Sequence, residues 1–201
     1  MKLTPIQFSN ESITYIAPSW SQLEDLSFIL AQKILKDKLR IDRIVTLAKG
    51  GWPQTCSLID FLGIDYVASI GIKFYSGIGK MMDKPDIYQD IPPVIRNETV
   101  LLFDDIADTG KSLVFTKDHL RDFAVKKVYT ASLFYRNHCS LTPDYYAQEV
   151  NSWIVFPFEA RETIEQLGLK WAKQGLNKQE IIKRFKKFNF KDEIINYYLK
   201  I

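Results

Sequence analysis

Apolar residues along this chain switch between two periods, and the switching predicts alternating helices and strands. Leu23, Leu26, Leu30 and Ile34 recur at helical spacing. They follow Ser19 or Ser21, either of which can cap a helix, because Gln22 and Glu24 each fall three residues later. Arg43 to Ala48 is a short β-branched run ending in Lys49-Gly50-Gly51, and a helix is expected from Pro53 to Leu62, stopped by Gly63. Tyr66 to Phe74 reads as a second strand, and Val100 to Phe103 as a third, short and buried. From Asp104 to Lys111 the chain turns into a helix reaching about Phe123; Lys127 to Phe134 and Ser152 to Phe156 read as further strands. This alternation predicts an α/β fold with a mostly parallel sheet.

Three segments break the rhythm. The N-terminus before Ser19 shows no period and is expected to be irregular. Tyr75 to Pro93 holds two Gly, three Pro and scattered charges, which predicts a flexible lid loop; Lys73, Tyr75 and Lys80 are read there as solvated residues without a catalytic role. From Ala160 the pattern is all helical: Asn177 with Glu180 forms a capping box, and Ile181, Phe185 and Phe188 make one apolar stripe. The expected division is one domain over residues 1–159 and a helical appendage over residues 160–201.

Charge sharpens that division. The net charge is +3 and the sequence pI is near 8.7, which invites a nucleic-acid reading. Yet residues 1–159 carry 17 basic and 19 acidic side chains, while residues 160–201 carry 10 basic and 5 acidic. The surplus belongs to the tail, and Lys183, Arg184, Lys186 and Lys187 read most simply as the solvated face of a helix or an intersubunit contact; nucleic acid is not an expected partner. Cys56 and Cys139 are too few for a disulfide framework and lie in no metal-ligand spacing. No secretory leader or membrane-spanning run is evident, so a cytoplasmic protein is expected. His119, within a helix, and His138, in a polar loop, are read as surface residues.

The chemistry concentrates in Val100-Leu101-Leu102-Phe103-Asp104-Asp105-Ile106-Ala107-Asp108-Thr109-Gly110-Lys111-Ser112. An apolar strand delivers two adjacent carboxylates at its C-terminal end, where parallel sheets bind ligands. A small-residue turn then opens a helix, whose N–H groups and dipole suit a phosphate. A Walker loop would need Gly where Asp105 stands, and a dinucleotide fingerprint would need three spaced glycines. Two carboxylates beside a phosphate cradle can accept hydrogen bonds from sugar hydroxyls, which points to a ribose phosphate. Adjacent acids alone would be ordinary loop carboxylates, Lys-Gly-Gly alone a turn, and Trp153 alone a core aromatic.

The stretch Asp104 to Ser112 resembles the phosphoribosyl pyrophosphate (PRPP) motif of type I phosphoribosyltransferases, and Lys49-Gly50-Gly51 resembles that family's pyrophosphate loop. The resemblance covers roughly Arg43 to Glu159. It implies the Rossmann-like sheet of that family, with Asp104 and Asp105 on the ribose hydroxyls and Asp108, Thr109, Gly110, Lys111 and Ser112 around the 5′-phosphate. Lys49, Gly50 and Gly51 would hold pyrophosphate, often through a non-proline cis peptide. An acid at Asp108 resembles the 6-oxopurine branch, where it accepts the purine N7 proton. Trp153-Ile154-Val155-Phe156-Pro157-Phe158-Glu159 resembles the base-binding segment of xanthine-guanine and hypoxanthine-guanine enzymes, with Trp153 stacking on the base and the Ile154 backbone reading its edge. Asp105 and Glu159 are the implied Mg²⁺ contacts. Where the family uses a lysine toward the purine 6-oxo group, the residue in line is Arg136, whose planar fork needs more room than an ammonium.

The reaction so implied is transfer of the 5-phosphoribosyl group from PRPP to N9 of guanine, hypoxanthine or xanthine, giving a mononucleotide and pyrophosphate, in a homodimer or homotetramer. Two alternatives stay open: a PRPP-sensing regulator whose basic tail grips nucleic acid, and a transferase for another base such as adenine or orotate.

Overall fold

A computed structural model describes residues 3–75 and 81–201. In chain order the elements are β1 (Ile6–Gln7), β2 (Thr14–Ile16), α1 (Trp20–Lys36), β3 (Arg43–Ala48), α2 (Trp52–Leu62), β4 (Tyr66–Tyr75), β5 (Met81–Gln89), β6 (Thr99–Ala107), α3 (Lys111–Arg121), β7 (Lys127–Tyr135), β8 (Tyr145–Glu149), β9 (Trp153–Ile154), α4 (Ala160–Lys173), α5 (Lys178–Lys186) and α6 (Asp192–Tyr198). They fall into two units, residues 24–150 and residues 1–23 with 151–201. The helices from Ala160 onward thus share a unit with the N-terminal strands.

Residues 24–150 carry a six-stranded sheet in the order β5-β4-β3-β6-β7-β8. Every pairing is parallel except β4 with β5. Central strands β3 and β6 are almost wholly buried and mostly apolar, as expected where both faces of a parallel sheet are covered. Ser19 caps α1: its hydroxyl accepts from the Gln22 N–H, and the Gln22 side chain accepts from the Ser19 N–H. Leu26, Leu30 and Ile34 form the buried side of α1. Gly63, at φ 64°, terminates α2 in the left-handed conformation.

Four expectations are corrected here. Much of the expected lid is β5, an antiparallel edge strand; Pro85 is tolerated because an edge strand need not donate on both sides. Its pairing is fixed where the Tyr88 ring lies over Gly71, so close that a Cβ on Gly71 would stand 2.3 Å from the ring, and where Gln89 donates to Ser69 Oγ at 2.6 Å. Residues 76–80, Lys80 among them, lie outside the described residues. Strand β6 runs to Ala107 rather than Phe103, because its ladder with β7 continues to Ala107 opposite Tyr135. The strand expected over 152–156 is shorter and joins a separate sheet, β1-β2-β9, pairing parallel to β2; the irregular N-terminus supplies its other two strands. The edge strand β8 left no signal, being short and half-buried.

Residues 1–23 and 151–201 pack around an aromatic core of Phe8, Tyr15, Trp171, Phe185 and Phe188. Asn177 and Glu180 form the expected capping box on α5, and Ile181, Phe185 and Phe188 are buried. The buried Glu11 carboxylate accepts from Lys170 Nζ at 2.7 Å, Trp171 Nε1 at 2.8 Å and the Tyr15 hydroxyl at 3.2 Å. Burial alone would raise its pKa, but these hydrogen bonds outweigh burial and hold it below the usual range. Arg184, expected on a solvated face, is instead buried against the Phe8 and Trp171 rings. No helix among the described residues is long and apolar enough to cross a membrane.

Candidate functional site

The site begins where β6 outruns its neighbour. Strand β3 pairs with β6 only as far as Thr46 opposite Phe103. The following residues of β6, Asp104 to Ala107, keep β7 on one side, and the turn after β3 fills the other. A Cβ on Gly50 would lie 2.6 Å from Asp105 Oδ2, and one on Gly51 would lie 2.3 Å from Thr46 Oγ1 and 3.2 Å from the Phe103 carbonyl oxygen. Only residues without a side chain let the turn sit this close. The Ala48–Lys49 peptide entering the turn is cis. The Lys49-Gly50-Gly51 turn and the Asp104-Asp105 pair, separate motifs in the sequence, are thus in direct contact.

The two carboxylates differ in environment. Asp104 Oδ1 accepts from the Asp105 N–H at 3.0 Å, and Asp105 Oδ1 accepts from the Ile106 N–H at 2.8 Å. Asp105 is buried, and burial pushes its carboxyl up to about 6 despite the hydrogen bonding with Asp104 and Ile106.

Beyond Ala107 the chain makes its second tight turn. Gly110 stands at φ 80° as the N-cap of α3. A Cβ there would lie 2.7 Å from Cys139 Sγ and 3.0 Å from the Leu141 nitrogen. The loop after β7 is clamped over this turn: the Ser140 N–H and hydroxyl both donate to the Thr109 carbonyl, at 3.0 and 2.8 Å. Lys111 and Ser112 open α3, so the first-turn N–H groups and the positive end of the helix dipole face the same turn. Thr109, Gly110, Lys111 and Ser112 therefore form one donor-rich cradle for an anion.

Asp108 lies between the two features, half-exposed. Arg136 Nε stands 2.8 Å from its Oδ1, and His138 Nε2 is 3.3 Å from the same oxygen. Arg136 is brought there by the end of β7, its N–H donating to the Ala107 carbonyl. Nothing in the sequence spacing flagged His138, because the loop that returns it to Asp108 is held by tertiary contacts. His119, also read as surface, is partly covered and pairs with Asp90 at 2.8 Å.

Trp153, Ile154 and Glu159 belong to the other unit. Trp153 is about half exposed, which removes the core-aromatic reading, while Ile154 is buried. Glu159 stands at the N-cap of α4. Among the described residues no group of three or more His, Cys, Asp or Glu side chains could hold a metal unaided. The adjacent Asp104 and Asp105 still fit Mg²⁺, which binds through one or two carboxylates and completes its shell with water and substrate phosphates.

A parallel α/β sheet with an anion cradle, a glycine turn and paired acids at its strand ends defines a class of proteins that bind phosphorylated sugars. Residues 19–163 match the phosphoribosyl transferase domain, and the chain belongs to that family; it is a phosphoribosyltransferase. Among solved structures it is similar to a purine phosphoribosyltransferase from Pyrococcus horikoshii, at 32% identity over 72% of this chain and 91% of that one, with a TM-score of 0.63. It shares its fold with a xanthine-guanine-hypoxanthine phosphoribosyltransferase from Helicobacter pylori, at 24% identity over 70% and 91% and a TM-score of 0.60. The fold also recurs in a hypothetical protein from Neisseria gonorrhoeae with bound ppGpp, at 20% identity over 75% and 92% and a TM-score of 0.66. No curated protein matches the chain.

Proposed function

We propose that the protein transfers the 5-phosphoribosyl group from PRPP to N9 of a 6-oxopurine, releasing pyrophosphate. The contact between the Lys49-Gly50-Gly51 turn and Asp105 carries this reading, because it sets a basic glycine turn beside paired carboxylates and one strand end from an anion cradle. The similarity to the Pyrococcus purine enzyme supports the choice of a purine.

In this reading the Thr109 to Ser112 cradle holds the 5′-phosphate, Asp104 and Asp105 accept from the ribose hydroxyls, and Lys49 with the Gly50 and Gly51 backbone holds the pyrophosphate. Breaking the bond at C1′ builds positive charge on the sugar and negative charge on the leaving group, so preorganised charge outweighs any nucleophilic side chain. Asp104 and Asp105 would hold Mg²⁺ together with the substrate's own oxygens, and the ion would supply charge neutralisation for the leaving phosphates. Asp108 accepts the N7 proton as the base attacks. Arg136 donates to the 6-oxo group, and its 2.8 Å approach to Asp108 ties base recognition to the proton acceptor. For Trp153 and Ile154, which belong to the other unit, the family resemblance implies base stacking and backbone recognition of the purine edge.

Purified protein with PRPP and Mg²⁺ is assayed against guanine, hypoxanthine, xanthine, adenine and orotate, following mononucleotide formation. Turnover with one or more 6-oxopurines is expected. Turnover confined to adenine or orotate would move the substrate class, and no turnover with any base would overturn the enzymatic role of this site.

A further inference from the structure

The basic surplus of residues 160–201 has a structural focus. Lys183, Arg184 and Lys187 line a cavity of about 520 Å³, walled also by Ser9, Asn10 and Gly175. Arg184 is only 8% exposed. Its Nη2 donates to the Ser9 carbonyl at 2.8 Å, and its guanidinium carbon lies 4.8 Å from the Phe8 ring centre and 5.1 Å from that of Trp171. Its Nη1 is buried and has no hydrogen-bond acceptor among the described residues. A buried guanidinium N–H without an acceptor is rare in native proteins and calls for a reason.

The surrounding charge makes the same point independently. Among the described residues, Lys183, Arg184 and Lys187 have no carboxylate within ion-pair distance, whereas Lys186 on the same helix reaches Asp192 at 3.0 Å. The one acid lining the cavity, Glu180, is committed elsewhere: its Oε2 accepts from the Asn177 N–H at 2.9 Å. Two left-handed residues shape the wall, Asn10 at φ 66° and Gly175 at φ 89°. Nothing lies within 4 Å of where a Gly175 Cβ would stand, so space beside the cavity stays open. Three cations against one carboxylate leave the lining with a net charge of about +2, which focuses positive potential into the concavity.

We propose that this cavity binds a small polyphosphate anion, at a site sharing no residue with the PRPP site. Phosphate oxygens are acceptors that match an arginine fork and flanking ammonium groups. A finite cavity, with the next lysine along the helix already paired, suits a compact anion rather than an extended nucleic-acid backbone, which needs a continuous row of cations.

The test is calorimetric titration of inorganic tripolyphosphate into the full-length protein, its K183Q/K187Q variant and a K49Q/K111Q variant that strips the cations from the other site. Circular dichroism establishes that each is folded; Arg184 itself is left intact because it is clamped in the aromatic core. Binding should persist in K49Q/K111Q and weaken about tenfold or more in K183Q/K187Q. Unchanged affinity in K183Q/K187Q, or loss of all binding in K49Q/K111Q, overturns the proposal. So does a single-stranded oligonucleotide that displaces tripolyphosphate at equal phosphate concentration, because the phosphate source would then be nucleic acid.

Discussion

Replacing Asp105 with asparagine isolates the energetic cost of the carboxylate buried against the Lys49-Gly50-Gly51 turn. The folded protein holds the Asp105 proton up to about pH 6, against 3.8 for an exposed aspartate. That gap corresponds to about 3 kcal/mol of proton-linked stability. The sign follows from which state binds the proton more tightly: the folded one. The contribution is therefore fully present below about pH 4 and is lost as pH rises through about 6. Asparagine cannot titrate, so whatever constant offset the amide introduces, the wild-type stability minus that of Asp105→Asn should fall by up to about 3 kcal/mol between pH 3.5 and 7.5. Urea unfolding without ligand or divalent cation measures it. Parallel stability profiles for the two proteins would refute the claim that burial strains this carboxylate.

Other expectations follow from single contacts. Gly110→Ala forces an L-residue to φ 80° and sets its Cβ against Cys139 Sγ, so thermal unfolding should report a loss of about 1–3 kcal/mol. Asp108→Ala should lower kcat by about 10²- to 10⁴-fold in the PRPP assay, the usual worth of a general base, while unfolding stability changes little because the carboxylate is half exposed. Glu11→Gln leaves Lys170 and Trp171 facing a weaker acceptor and should cost about 2–4 kcal/mol at pH 7 in denaturant unfolding. Its pH trend is opposite to that of Asp105: the Glu11 contribution is present above the ordinary glutamate range and lost as pH falls, so the variant should approach wild type in acid.

The parts of this protein legible in its sequence are those specified by local rules. Strand β3, helix α2 and its Gly63 stop, the Ser19 and Asn177 capping boxes and the turn at Gly110 each follow from residues within a few positions of one another. The motif Asp104 to Ser112 was equally plain because its chemistry is contiguous. What stayed hidden depends on partners distant in sequence. Strand β5 is polar and carries a proline, and it is held as a strand by Tyr88 over Gly71 and by Gln89 on Ser69. Helical spacing marked Arg184 as a surface cation, but the face it occupies meets Phe8, from the far end of the chain. His138 is the exposed loop residue its sequence context predicts, but its 3.3 Å approach to Asp108 depends on the path of the chain after β7. The need for glycine at both Gly50 and Gly51 is set by Asp105 and Thr46, which no local pattern discloses.

The central claim is that the glycine turn and the paired acids form one PRPP site, and Gly50→Ala tests it most directly. The added Cβ would lie 2.6 Å from Asp105 Oδ2, so the turn and the carboxylate must separate. Equilibrium binding of PRPP with Mg²⁺ should be clear for the wild type and weaker by about tenfold or more for Gly50→Ala, with both proteins folded by circular dichroism. Equal affinity in the two proteins would contradict the account.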